Sequence, residues 1–521
     1  MTVSETSDQP KQRLPAAMVV GVGTMASRVA GFIRDLFIAA LLGTGPFAEI
    51  FVIAFRLPNL FRRIFAEGAF NSAFVPLFSE ALQTKGQSFA LQFATRVFSI
   101  LITSLIILTI LAEIFMPSLI AALAQGFVGS PEKFEQAVHY ARISFPYLIF
   151  MSMMSLFGAM LNAKGHFIAS AFAPLLLNVV LILAMAVAVM ASGVAIDYLI
   201  WGVAVAGVVQ LAFVFVAAWR SGLRLKLTWP CWTPDVKVFF TLLLPGLLAS
   251  GIAQINLLVG TSIATGQQGA AAWLYYADRL YQLPLGVIGV ALSVALLPNL
   301  SRHVAANDEA GARASQSGAV LVATGLTIPA ALGLYILAGP AVEVLFERGA
   351  FTADDTLATA RALQALCFGL PAFVLIRALQ PSFFARKDTR TPLIHGGVGV
   401  VVNLTLSIGL FPEYGHMAIA YATSAAGWVT LMLMLERLIR HSVWSLDRPV
   451  MRQLAGQLAA SLVMAVALMA AVHMIAFPSH FTGSLLWVAG MVAGGAAMFI
   501  LAALGLGGIT RAQLRSLRGR V

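Results

Sequence analysis

Apolar runs long enough to span a bilayer recur along this chain, and short polar segments separate them. They fall at about 15–43, 47–82, 89–123, 134–162, 167–191 and 196–219, then at about 238–265, 272–304, 313–338, 356–385, 391–411 and 416–440. Two more follow at about 453–476 and 483–507. The polar segment RSGLRLKLTWPCWTPDVK (220–237) parts the first six from the second six, and a basic segment, Arg440 to Arg452, parts those from the last two. The pattern predicts an all-α polytopic membrane protein of about 14 transmembrane helices.

Lysine and arginine test that count, because they collect in alternate loops when every run crosses the membrane. Taken alternately, one set of loops and termini holds 22 of them and the other holds two, Lys133 and Arg348. A missed or invented helix would scramble the alternation, so both termini are expected in the cytoplasm. The domain reading follows. Residues 1–14 form a cytoplasmic tail, 15–219 an N-lobe of helices 1–6, 220–237 a cytoplasmic linker and 238–440 a C-lobe of helices 7–12. A second linker at 441–452 leads to helices 13 and 14 at 453–507 and to a basic tail at 508–521. The polar start (MTVSETSDQPKQR) runs into an apolar segment with no short h-region and no small-residue cleavage site, which reads as a retained helix.

Composition agrees: 60% of the residues are hydrophobic and 11% charged, far from soluble averages. The net charge of +11 is scattered over short loops and forms no stripe for nucleic acid. Cys231 and Cys367 have neither metal-ligand nor disulfide spacing. No HExxH, Walker loop or paired nucleophile is visible, and the reading includes no enzyme activity, metal or cofactor.

The two groups of six look like copies. AFVPLFSEA (73–81) resembles ALLPNLSRH (295–303), and Pro146 and Asn178 match Pro371 and Asn403. Six is an even number of crossings, so the copies share one orientation and would be related by a pseudo-twofold axis along the membrane normal, enclosing a central cavity.

Chemistry concentrates in Ser27 to Glu80, where Arg28, Arg34, Arg56, Arg62 and Arg63 sit inside apolar runs. Each arginine at a helix centre costs about 2.5–3.5 kcal/mol unless water or an anion receives it. A buried basic cavity is the economical reading, and guanidinium groups suit bidentate recognition of a diphosphate. Arg28 and Arg34, six residues apart on one helix, point about 120° from each other. The run at 47–82 is too long to cross straight, and Pro58 is the expected hinge. Pairing with Asp35, Glu49, Glu67 and Asp278 would instead make these arginines braces. Tyr275, Tyr276 and Tyr281 fit either a cavity mouth or an interfacial belt.

The segments SRVAGFIRD (27–35), FRLPNLFRRIFAEGAFNSAFVPLFSE (55–80) and YYADRLYQLPLGVIGVALSVALLP (275–298) resemble the MurJ/MviN family over essentially the whole chain. That family consists of lipid II flippases within the multidrug/oligosaccharidyl-lipid/polysaccharide exporter superfamily. The resemblance implies a lipid II flippase of the bacterial inner membrane. Its two lobes would enclose a cationic cavity, and helices 13 and 14 would form a groove for the undecaprenyl tail. It implies substrate contacts at Arg28, Arg34, Arg62 and Arg279, with Ser27 and Asp35 beside the first two and Glu49 as the acidic residue of helix 2. Lipid II, membrane lipids and the cell-wall synthesis machinery are the partners it implies. The chain departs from some members at Ala272 and Gln282, and its tenth and eleventh apolar runs, apart from Asn403, lack the Asn and Asp side chains of a second-lobe sodium site. The alternatives are export of another polyprenyl-linked saccharide, cation or drug antiport, and an enzyme acting on such lipids. Antiport of cations would call for mid-membrane acids where this chain has bases.

Overall fold

The computed structural model describes residues 16–65, 69–478 and 480–509. The N-terminal tail at 1–14, Glu67 and most of the basic tail at 508–521 lie outside the described residues. Within them the secondary structure is helical and no strand occurs.

Among the described residues each apolar run is helical, and two runs of the first six are helix pairs whose breaks follow from the sequence. The first run holds α1 (Ala16–Leu42), and the second holds α2 (Pro46–Phe65) and α3 (Ala69–Thr84). The third divides into α4 (Gly86–Ile114) and α5 (Met116–Leu123), with Pro117 in the first turn of α5. The fourth divides into α6 (Pro131–Ser144) and α7 (Tyr147–Ala163), with Pro146 at the α7 N-cap. Proline has no N–H to continue a helix but fits the start of the next one. Single helices follow: α8 (Ile168–Met190), α9 (Ala195–Arg220), α10 (Pro234–Ala264) and α11 (Ala270–Ala305).

The second group of six repeats the breaks of the third and fourth runs. After α12 (Glu309–Ile336) comes the short α13 (Ala338–Phe346), then α14 (Ala353–Cys367) and α15 (Leu370–Phe384), with Pro371 at the start of α15 just as Pro146 starts α7. Next are α16 (Arg390–Tyr414), α17 (His416–Arg440), α18 (Arg448–Met474) and α19 (Phe481–Gly505). Asn178 in α8 and Asn403 in α16 are both buried, as their matched positions predict. Among the described residues, ten spans are long and apolar enough to cross a membrane: α4, α6 with α7, α8, α9, α12, α14 with α15, and α16 through α19. The protein is a multi-pass membrane protein.

Caps finish several helices. Asp308 caps α12 by accepting from the Gly311 amide at 2.8 Å, and that bond together with the His303 side chain holds its carboxyl below the usual carboxylate range. Thr352 and Asp355 form a capping box at α14.

The chain falls into two compact units. The first comprises the residues up to Ile38, Ile50–Ala122 and Pro131–Gln254. Its core is an aromatic ladder: Phe70, Phe74 and Phe78 recur every four residues on one face of α3. Phe74 stacks on Phe70 at 5.3 Å and on Phe93 of α4 at 5.7 Å, and Phe239 meets Phe70 edge-on.

The second unit comprises Ala39–Glu49, Leu123–Ser130 and Ile255 onward. In its core Ala372, Ile376, Leu379 and Phe383 of α15 meet Leu431, Met434 and Leu438 of α17. On α18 and α19, Met464, Leu468, Trp487 and Met491 pack with Leu337. Buried Gln457 ties α18 to α12, accepting from the Thr324 hydroxyl at 2.6 Å and donating to Leu321 O at 3.0 Å. In the same unit the turn after α1 is seated on the segment before α14: Ala350 N donates to Ala40 O at 2.8 Å, and Tyr276 donates to Gly43 O at 3.0 Å. Gly43 has φ +58° and Ala350 O only 2.3 Å from where a Cβ would stand, so a larger residue is excluded there by both backbone and space.

Candidate functional site

The first unit contains a cavity of about 390 Å³. α1 lines it with Thr24, Ser27 and Arg28, α2 with Arg62 and α3 with Asn71, and α7 and α8 complete the wall. The helices come close enough to form one cavity because small residues stand at their contacts. A Cβ at Gly23 would lie 2.7 Å from Ala171 O of α8, and one at Gly158 would lie 3.3 Å from Ser170 Cβ. Two cations of the sequence reading, Arg28 and Arg62, thus share one concave wall with Ser27 beside them.

Arg62 is oriented from within its own helix. Its Nε donates to Asn59 Oδ1 at 3.1 Å, while Asn59 Nδ2 donates to Phe55 O at 2.8 Å. α2 continues through Pro58 as helix. A hydrogen bond from elsewhere in the first unit accommodates it. Proline at 58 frees the carbonyl of Ala54, which would otherwise be left without a donor, and the Ser144 hydroxyl donates to it at 2.9 Å.

Arg34 is not among the cavity-lining residues. It is 6% exposed and Asp35 is 1% exposed. Arg34 donates twice to Asp35 Oδ1, from Nε at 3.0 Å and from the second terminal nitrogen at 2.7 Å, and its other terminal nitrogen donates to Asn178 Oδ1 at 2.9 Å. Asn178 Nδ2 donates back to Ser27 O at 2.9 Å. The Arg34 guanidinium also stands 5.9 Å from the centroid of the Phe55 ring. A buried charge pair needs its remaining hydrogen-bonding groups satisfied, and Asn178 serves both ends of this network. It thereby fixes the backbone of Ser27, which adjoins cavity-lining Arg28.

Glu49 is fully buried and belongs to the Ala39–Glu49 segment of the second unit. Arg279 is on α11, also in the second unit, half-buried with its guanidinium 4.4 Å from the centroid of Tyr275. Tyr275, Tyr276 and Tyr281 are 7%, 1% and 5% exposed, so they are packed side chains instead of an interfacial belt. Sequence reasoning had noted Asn178 only as a repeat marker and passed over Asn59, Asn71, Ser144 and Asn162. The available signal was a carboxamide or hydroxyl within an apolar helix, where a polar group needs a partner. Among the described residues, no cluster of histidine, cysteine and carboxylate side chains suits a metal ion.

The profile of the lipid II flippase MurJ family matches residues 38–490. The chain is 44% identical over 504 residues to a probable lipid II flippase MurJ of Rhizobium meliloti (strain 1021), covering 95% of this chain and 94% of that protein. It is 36% identical to a probable lipid II flippase MurJ of Vibrio cholerae serotype O1, covering 88% of this chain and 89% of the relative. Its fold matches a solved lipid II flippase MurJ in an inward closed conformation, with a TM-score of 0.79 and 24% identity over 93% of this chain and 98% of that one. An inward-facing multidrug resistance MATE family transporter matches with a TM-score of 0.69 and 16% identity, covering 82% and 99%. With a family model that matches most of the chain and relatives similar over nearly the full length of both partners, the chain belongs to the lipid II flippase MurJ family.

Proposed function

We propose that the protein is a lipid II flippase. It carries the undecaprenyl-diphosphate-linked precursor from the cytoplasmic to the periplasmic leaflet of the bacterial inner membrane by alternating access, with both termini in the cytoplasm. The carrying observation is the pairing of Arg28 and Arg62 on the wall of one cavity within an apolar helical bundle. Two guanidinium groups kept in such a place are stabilised by an anion that spreads charge over several oxygens, which describes a diphosphate. The termini follow from the 22-to-2 distribution of lysine and arginine between alternate loops.

Arg28 and Arg62 are then the diphosphate ligands, and Ser27 borders them. Arg34 and Asp35 act one step back by bracing α1. Arg279 and Glu49 enter through the family motif and belong to the second unit's share of the transport cycle. On α18 and α19, Leu462, Val466, Leu486 and Leu501 remain exposed and offer an apolar face to the undecaprenyl chain. The test is translocation of labelled lipid II in vesicles reconstituted with the protein, run beside uptake of a cationic dye. Lipid II movement that is lost in Arg28→Ala and Arg62→Ala supports the reading. Dye uptake without lipid II movement overturns it.

A further inference from the structure

The two arginines are the charged residues among those that line the cavity in the first unit. Asn71 of α3 and Ser155, Asn162 and Ser170 of α7 and α8 also line it, and none of these carries a charge. Ser170 donates from its hydroxyl to Asn162 Oδ1 at 2.6 Å and to Phe167 O at 3.0 Å. The acceptor end of the Asn162 amide is thereby engaged, while its Nδ2 group donates to no other described residue. The Asn71 side chain, which is exposed, likewise bonds to no other described residue. Met151 and Met154 supply an apolar patch on the same wall.

We propose that Asn71, Asn162 and Ser170 form a neutral subsite that reads the first pyranose of a polyprenyl-diphosphate-linked saccharide. This rests on the function proposed above and adds residues and a ligand part that it does not specify. Three arguments carry it. The first is covalent adjacency: the anomeric carbon of that sugar is bonded to the distal phosphate, so when the diphosphate is held at Arg28 and Arg62 the pyranose lies next to them. The second is chemistry. Carboxamides and hydroxyls both donate and accept, which matches ring hydroxyls and an acetamide, and flexible thioether side chains suit the C–H face of a sugar. The third is size. About 390 Å³ lies in the lower part of the range for small-molecule pockets, roughly 300–1,000 Å³, so the cavity takes a diphosphate with one sugar and leaves the remaining head group outside.

The experiment measures competition against labelled lipid II on full-length protein in lipid nanodiscs, using three unlabelled competitors. These are lipid II, the same lipid-linked disaccharide without its peptide, and undecaprenyl diphosphate with no sugar. Asn71→Ala and Asn162→Ala are expected to weaken both sugar-bearing competitors about five- to tenfold, the worth of one hydrogen bond, and to leave undecaprenyl diphosphate unchanged. Arg28→Ala should weaken all three. Asn71 bonds to no other described residue, so its variant keeps the test valid where loss of the Asn162–Ser170 contact disturbs folding. Equal weakening of all three competitors by the asparagine variants, no weakening at all, or an effect confined to the peptide-bearing lipid overturns the subsite. Wild-type protein that binds none of them overturns the flippase reading itself, whereas wild-type binding with unaffected asparagine variants defeats only this inference.

Discussion

Arg28 and Arg34 lie on the same helix and are the same residue, yet the structure gives them opposite surroundings. Arg28 is exposed on the wall of a cavity, next to a neighbour, Ser27, whose backbone is held by Asn178. Arg34 is buried, bound to Asp35 and Asn178 and packed near Phe55. A guanidinium inside an apolar bundle must be received by something. In one case that is cavity space open to an anion, and in the other it is a carboxylate and a carboxamide from the protein. The first arrangement leaves charge for a ligand and the second spends it on the fold.

The largest expected effect separates these roles directly. Arg34→Ala removes both charge-assisted hydrogen bonds that Arg34 gives the buried Asp35 carboxylate, and breaking such a buried pair costs about 3–5 kcal/mol. The purified variant should melt well below wild type in a thermal-shift assay. Arg28→Ala should melt close to wild type and still lose lipid II binding. Equal melting temperatures for the two variants would break the comparison.

Removing both charges sharpens it. A double substitution, Arg34→Met with Asp35→Leu, fills similar space and removes both charges of the pair, so most of the stability lost in Arg34→Ala should return. Failure of the double variant to recover would mean that the pair contributes more than mutual neutralisation.

Asn178→Ala comes next. It takes an acceptor from the buried Arg34 and a donor from Ser27 O, at about 1–3 kcal/mol for the group left unsatisfied. Thermal shift should report this loss, and lipid II binding should weaken as well because the α1 backbone beside Arg28 loses its anchor. A stability loss with unchanged binding per folded molecule would show that the brace and the cavity act independently.

The smallest effect expected is at a helix terminus in the second unit. Thr352→Ala removes the α14 cap at about 1 kcal/mol and should speed hydrogen exchange of the first α14 amides with no change in lipid II binding. Lost binding there would show that the site depends on more of the chain than the α1 contrast implies.

Much of this was legible in the linear sequence. The apolar runs gave the helices, and Pro146 and Pro371 marked the breaks at α7 and α15 because proline lacks the donor that a continuing helix needs. Pro58, the expected hinge, lies within helical α2, where Ser144, distant in sequence, supplies a donor for the freed Ala54 carbonyl. The arginine-rich opening was legible as a candidate site on cost alone, and Arg28 and Arg62 do share a cavity. Arg34 and Asp35 were expected beside them, and the structure shows both buried, with Arg34 bonded to Asp35 and to Asn178.

The sequence by itself determined the class of molecule, its helices, its internal repeat and the concentration of cations in its first eighty residues, because hydrophobicity, helical period and proline chemistry act locally. Which arginine meets a cavity and which meets a protein partner was decided only by tertiary structure. Asn178 lies 144 residues from Arg34 along the chain, and nothing local to Arg34 specifies that carboxamide. Only the packing of α8 against α1 brings it within 2.9 Å, and that contact fixes where the charge goes.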